Sequence, residues 1–79
     1  MGLDERIRGR LDALGISQSE LREALSRHGV DVSRQTVSGW STGVQRPSPA
    51  HLRALLDALV VPTDERVSWL DCWAAGGAL

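Results

Sequence analysis

The sequence predicts an all-α protein, a compact bundle of five helices forming a single domain over residues 1–79. Three observations lead there. Apolar residues recur three and four positions apart in stretches separated by Gly or Pro. Several of those stretches open on a residue suited to capping a helix. Nowhere do apolar and polar residues alternate with the period of two that marks a strand.

The first helix spans about residues 3–14, where Leu3, Ile7, Leu11 and Leu14 form one apolar stripe on a charged helix. Gly15 can adopt the left-handed conformation that ends it. The second begins at Ser17-Gln18-Ser19-Glu20, a capping box with Ser17 as N-cap and Glu20 three positions on. Ile16 and Leu21 flank it as a hydrophobic staple, Ala24 and Leu25 continue the stripe, and the helix closes near His28 and Gly29.

The third helix is capped by Ser33 and stops before Gly43, with Val32 and Val37 as a second staple. At 100° per residue, Ser33, Val37 and Trp40 share one side. Gln35, Ser38, Gly39 and Thr42 face the other way, with Arg34 and Thr36 on the flanks. One side is a core anchor, and the other is polar and free of acid. Arg, Gln and Thr at a helix N-terminus can pair with guanine, adenine and phosphate, so this is the candidate recognition helix.

Residues 42–48 form a turn-rich loop holding Arg46 and Pro47. Ser48 caps the fourth helix, with Pro49 at its first position, where a missing N–H costs nothing. Leu52, Leu55, Leu56 and Leu59 make the most regular stripe in the chain, ended by Val61-Pro62. Thr63, Asp64 and Glu65 start the fifth helix as a cap followed by two first-turn acids. Its apolar residues Val67, Trp69, Leu70, Cys72, Trp73 and Ala74 cover more than half the circumference. The expectation is that Val67, Leu70 and Ala74 face the core, while Trp69 and Trp73 form an outward ridge. Residues 63–75 would then be a dimerisation helix centred on Trp69 and Trp73, with 76–79 a frayed tail.

Composition narrows the partners. The 79 residues carry a net charge of −1, which argues against a non-specific nucleic-acid coat. Residues 22–56, however, hold five Arg (Arg22, Arg27, Arg34, Arg46, Arg53) against Glu23 and Asp31, a local +3 centred on the third helix. The single cysteine excludes an intrachain disulfide and fits a reducing compartment. There is no signal-peptide pattern at Met1-Gly2-Leu3-Asp4-Glu5, and no apolar run of membrane-spanning length. A cytoplasmic protein is expected. His28, His51 and Cys72 lack metal-ligand spacing, and no glycine-rich phosphate loop follows a strand. No enzyme activity, cofactor or small-molecule ligand is implied.

Two short helices followed by a third with polar outward residues suggest a helix-turn-helix. Leu14-Gly15-Ile16-Ser17-Gln18-Ser19-Glu20-Leu21 resembles the opening of that motif in the Cro/C1-type (XRE-like) DNA-binding domains, which share the lambda-repressor-like fold. Val37-Ser38-Gly39-Trp40-Ser41-Thr42-Gly43, followed by Pro47, resembles the end of their recognition helix and the next loop. The resemblance covers roughly residues 5–62. It departs from the family between the two motif helices, where Ser26 to Val32 hold about five extra residues, and at Arg22, where a small residue is usual. A second helix longer by about one turn, with Val30 and Val32 restoring the packing, would accommodate both.

The resemblance implies DNA contacts at Gln18, Arg34, Gln35, Thr36, Ser38 and Arg46, and the outward side of the third helix adds Gly39 and Thr42. Gln18 would hold a phosphate and brace Gln35, and Arg46 would lie along the backbone or minor groove. Gly39 would allow close approach to DNA or make room for the second helix. The implied protein is a transcriptional regulator of phage, plasmid or bacterial origin. It would act as a repressor, binding a palindromic double-stranded operator as a homodimer. The alternative is an adaptor that keeps the fold and uses its Trp-rich last helix on a phage or host protein.

Overall fold

A computed structural model of the chain describes residues 2–76. These form α1 (Leu3–Leu14), α2 (Gln18–Arg27), α3 (Arg34–Thr42), α4 (Pro49–Ala58) and α5 (Thr63–Gly76), with no strand among the described residues. Helix α1 packs against α3 and α5, and α2 against α3 and α4. The remainder of the 76–79 tail lies outside the described residues.

The boundaries follow from capping chemistry. Both halves of the capping box are made at α2: Ser17 Oγ accepts from Glu20 N–H, and Glu20 accepts from Ser17 N–H, each at 3.2 Å. Ser33 Oγ accepts from Thr36 N–H at 3.1 Å, and Ser48 Oγ from His51 N–H at 3.2 Å. Gly15 ends α1 at φ 66°, where Ile16 N–H reaches back to Leu11 O at 3.1 Å. Helix α5 differs from its expected start, since Thr63 is its first helical residue and Pro62 O takes the bonds from Glu65 and Arg66 N–H.

One core joins all five helices: Ile7 and Leu11, Leu21 and Leu25, Val37 and Trp40, the leucines of α4 with Leu59 and Val61, and Trp69. Leu14, at the end of the α1 stripe, is instead exposed. Arginines close the corners of the bundle. Arg10 donates through Nε to Leu59 O at 2.9 Å and through Nη2 to Val60 O at 2.8 Å. These bonds satisfy carbonyls that the end of α4 leaves open. Arg66 donates to Val61 O at 2.9 Å and pairs with Asp57 Oδ1 at 3.0 Å, fixing α5 to α4.

Helix α5 is turned opposite to the expectation. Trp69 is 2% exposed and belongs to the core, and Trp73 is half-buried, whereas Val67 and Leu70 are 64% and 46% exposed and Ala74 is exposed. The inward stripe is Arg66, Trp69 and Trp73, at i, i+3 and i+7. An indole is the largest apolar side chain available to fill this end, and a chain without Phe or Tyr has only Trp for the purpose. Trp69 therefore cannot be the outward dimer anchor.

Helix α2 ends at Arg27, next to its expected end near His28, and the connection to α3 begins there. Val30 N–H bonds Leu25 O at 2.9 Å, and Val30 and Val32 lie against the core. Arg22 Nε donates to Val32 O at 3.0 Å, and Ser26 Oγ donates to Asp31 Oδ1 at 3.0 Å. The unusual Arg at position 22 is the strut that ties α2 to the longer connection.

Candidate nucleic-acid interface

The orientation of α3 is set from its buried side. Val37 and Trp40 are core residues, and the Trp40 ring lies 5.4 Å from the His51 ring. Ser41 is fully buried, its hydroxyl satisfied by Val37 O at 3.0 Å. Two buried anchors one turn apart fix the rotation of the helix, and the opposite side is left to solvent.

That outer side presents Arg34 and Gln35, both exposed at the helix N-terminus, where backbone N–H groups and the helix dipole favour a phosphate. Neither side chain has a hydrogen-bond or ion-pair partner among the described residues. Ser38 is half-buried one turn further on. Gln18 is exposed as the first residue of α2, but no bond joins it to Gln35 among the described residues.

Thr36 and Thr42 are engaged within their own helix. Thr36 Oγ1 shares a hydrogen bond with Ser33 Oγ at 3.0 Å, which makes it part of the cap. Thr42 Oγ1 donates to Ser38 O at 3.0 Å and lies 3.4 Å from Gly39 O. Both hydroxyls spend their donor or acceptor locally, as Thr commonly does.

Gly39 is buried and answers to neither expectation. Gln45 from the following loop folds over it, with Gln45 N–H bonded to Gly39 O at 3.1 Å. The missing side chain makes room for this loop, rather than for DNA or for α2.

Arg46 leaves the same loop in the direction of α5. Its guanidinium carbon lies 3.9 Å from the Trp73 ring centroid, and its Nε donates to Trp73 O at 3.2 Å. Trp73 Nε1 in turn donates to Pro47 O at 2.7 Å. Sequence reasoning missed this clasp, because Arg46 and Trp73 are separated by the whole of α4.

Two concavities border this surface. An open cleft of about 780 Å³ runs between α2 and the start of α3, lined by Arg22 and Arg34 together with Glu23 and Asp31. Its mixed charge does not select an anion. A smaller groove of about 240 Å³, between α4 and α5, is lined by Pro49, Leu52, Arg53, Leu56, Leu70 and Trp73 and is almost wholly apolar. Among the described residues, no three His, Cys, Asp or Glu side chains converge, and no helix is long and apolar enough to cross a membrane.

A family model described as helix-turn-helix matches residues 7–66, a stretch that contains α2, α3, the loop after them and all of α4. No curated protein and no solved structure matches the chain.

Proposed function

Because the chain belongs to the Cro/C1-type helix-turn-helix family and is a DNA-binding regulator of that type, we propose that it represses transcription by occupying a palindromic operator as a homodimer. The observation that carries the reading is the pair Arg34 and Gln35: exposed, without partners among the described residues, and held at a helix N-terminus whose other side is locked by Val37 and Trp40. Gln35 is suited to bidentate pairing with adenine, and Arg34 with guanine or a phosphate. Ser38 extends the same surface, and Gln18 at the start of α2 flanks it as a backbone contact.

Dimerisation moves to a different part of α5. Leu70 is exposed and forms part of the wall of the apolar groove, so a two-fold axis near Leu70 would bring the grooves of two copies face to face. An exposed apolar patch that meets its own copy across a two-fold axis makes a self-complementary contact. A pair of recognition helices one DNA turn apart, about 34 Å, would then read successive major grooves. The adaptor alternative weakens with Trp69 in the core, since half of the surface it relied on is buried.

A gel shift with the DNA upstream of the chain's own gene tests the reading. Retarded bands that are lost with Gln35→Ala, but not on a scrambled duplex of the same length, support it. Equal binding to both duplexes would remove sequence-specific repression.

A further inference from the structure

We infer that Trp73 is a positioning residue for DNA binding: it holds the Arg46 guanidinium over its indole so that the unbonded end of that cation is presented to a phosphate. The inference rests on the reading of this surface as the DNA interface, and adds a residue from α5, outside the helix-turn-helix itself.

The geometry separates a phosphate clamp from a simple latch. Arg10 and Arg66 show what a latching arginine does here. Arg10 places Nε and Nη2 on carbonyls, and Arg66 places Nε, Nη1 and Nη2 on Val61 O, Asp57 and Leu56 O. Arg46 places only Nε, on Trp73 O, and is exposed. Among the described residues no carboxylate pairs with it, and its terminal N–H groups have no acceptor.

Stacking covers the face of a guanidinium but not its edge, and the N–H groups lie in the plane of the edge. With the guanidinium carbon 3.9 Å from the ring centroid and only Nε bonded, two terminal nitrogens stay available for bidentate contact with a phosphate. The indole is itself fixed, by its Nε1 bond to Pro47 O and by its place against the core. Cation and ring are held from both sides of the loop that follows the recognition helix. An arginine with its rotamer already chosen loses less freedom when it meets DNA.

The test is a double-mutant cycle on the full chain, with binding measured by fluorescence anisotropy on a mixed-sequence duplex over a range of salt concentrations. Arg46→Ala should weaken binding and reduce the salt slope by about 0.9 per protomer. Trp73→Leu should weaken binding about three- to tenfold more when Arg46 is present than in the Arg46→Ala chain. Arg46→Lys keeps the charge but not the guanidinium over the ring. It should fold normally, retain the salt slope and lose the same factor, which keeps the inference testable if Trp73→Leu does not fold. Trp73→Phe, which keeps a ring face, should recover most of the affinity.

Equal losses from Trp73→Leu in both backgrounds would reduce Trp73 to a structural role and overturn the inference. So would an Arg46→Lys chain that binds like the wild type. If Arg46→Ala has no effect while Gln35→Ala still abolishes the specific shift, the inference fails and the functional reading stands. If neither substitution has an effect, both fail.

Discussion

Gly39 lies beneath the side chain of Gln45, so that a Cβ at position 39 would stand 2.9 Å from Gln45 Cγ and 3.1 Å from its Cβ. These are the inner atoms of the Gln side chain, next to a backbone held by the bond from Gln45 N–H to Gly39 O, so they cannot simply swing away. Glycine is retained mid-helix, at roughly 1 kcal/mol against alanine, because the loop needs the space.

Gly39→Ala should therefore destabilise despite its better helix propensity. Overpacking costs about 1–3 kcal/mol and propensity returns about 1, leaving a net loss of roughly 1 kcal/mol. Adding Gln45→Ala should restore much of the melting temperature. Thermal melts of the single and double variants decide it, and a more stable Gly39→Ala chain would show that Gln45 does not confine the site.

The reversed face of α5 yields a pair of opposite expectations. Trp69→Ala removes a core side chain and should cost about 3–5 kcal/mol, most of the stability of a domain this small. Leu70→Glu, on the exposed side, should leave the melting temperature of dilute protein nearly unchanged while abolishing self-association. Sedimentation at tens of micromolar reads the second effect, and a Leu70→Glu chain that still dimerises would exclude the groove as the dimer contact.

Base readout by α3 predicts that Gln35→Ala costs about 1–3 kcal/mol on the operator and relaxes preference at one base pair. The measurement is binding to a panel of single-base operator variants. A uniform loss across the panel would reassign Gln35 to backbone contact.

Val60 sits at φ 52°, a left-handed conformation that is an outlier for a β-branched residue, and its side chain is exposed. Such a conformation costs about 1–2 kcal/mol, which Gly avoids at some expense in unfolded-state entropy. Val60→Gly should raise the melting temperature by a few degrees, at roughly 4–8 °C per kcal/mol for a domain of this length. A lower melting temperature would mean that Val60 is not strained.

Much of this architecture was legible in the sequence because it is written in local chemistry. Ser17 with Glu20, Ser33, Ser48 with Pro49, and Gly15 and Gly43 mark their boundaries through neighbours a few residues away. Val37 and Trp40 were placed correctly for the same reason, since helical spacing alone puts them on one side. What escaped depends on residues distant in sequence. The two faces of α5 are both apolar, so periodicity cannot rank them, and only the shape of the gap beside α1 and α4 selects the indoles. Helical spacing turns Gly39 outward and family resemblance turns Arg46 toward DNA, while their actual neighbours, Gln45 and Trp73, are chosen by how the loop folds back. Arg22 carried a visible signal, an arginine where a small residue is usual, but the acceptor at Val32 exists only once the longer connection has folded.

The ties between the first helix and the far end of the chain govern the order of events during synthesis. Arg6 Nε reaches Cys72 Sγ at 3.2 Å, and Arg10 holds the carbonyls of Leu59 and Val60. The recognition helix is complete at Thr42, yet the core that orients it includes Trp69. At about 5–20 residues per second, a ribosome needs a few seconds to travel from one to the other. Throughout that interval the emerging chain carries α3 but lacks the Trp69 that completes its core. The core that orients the recognition helix therefore closes only once Trp69 has been made and α5 packs against α1.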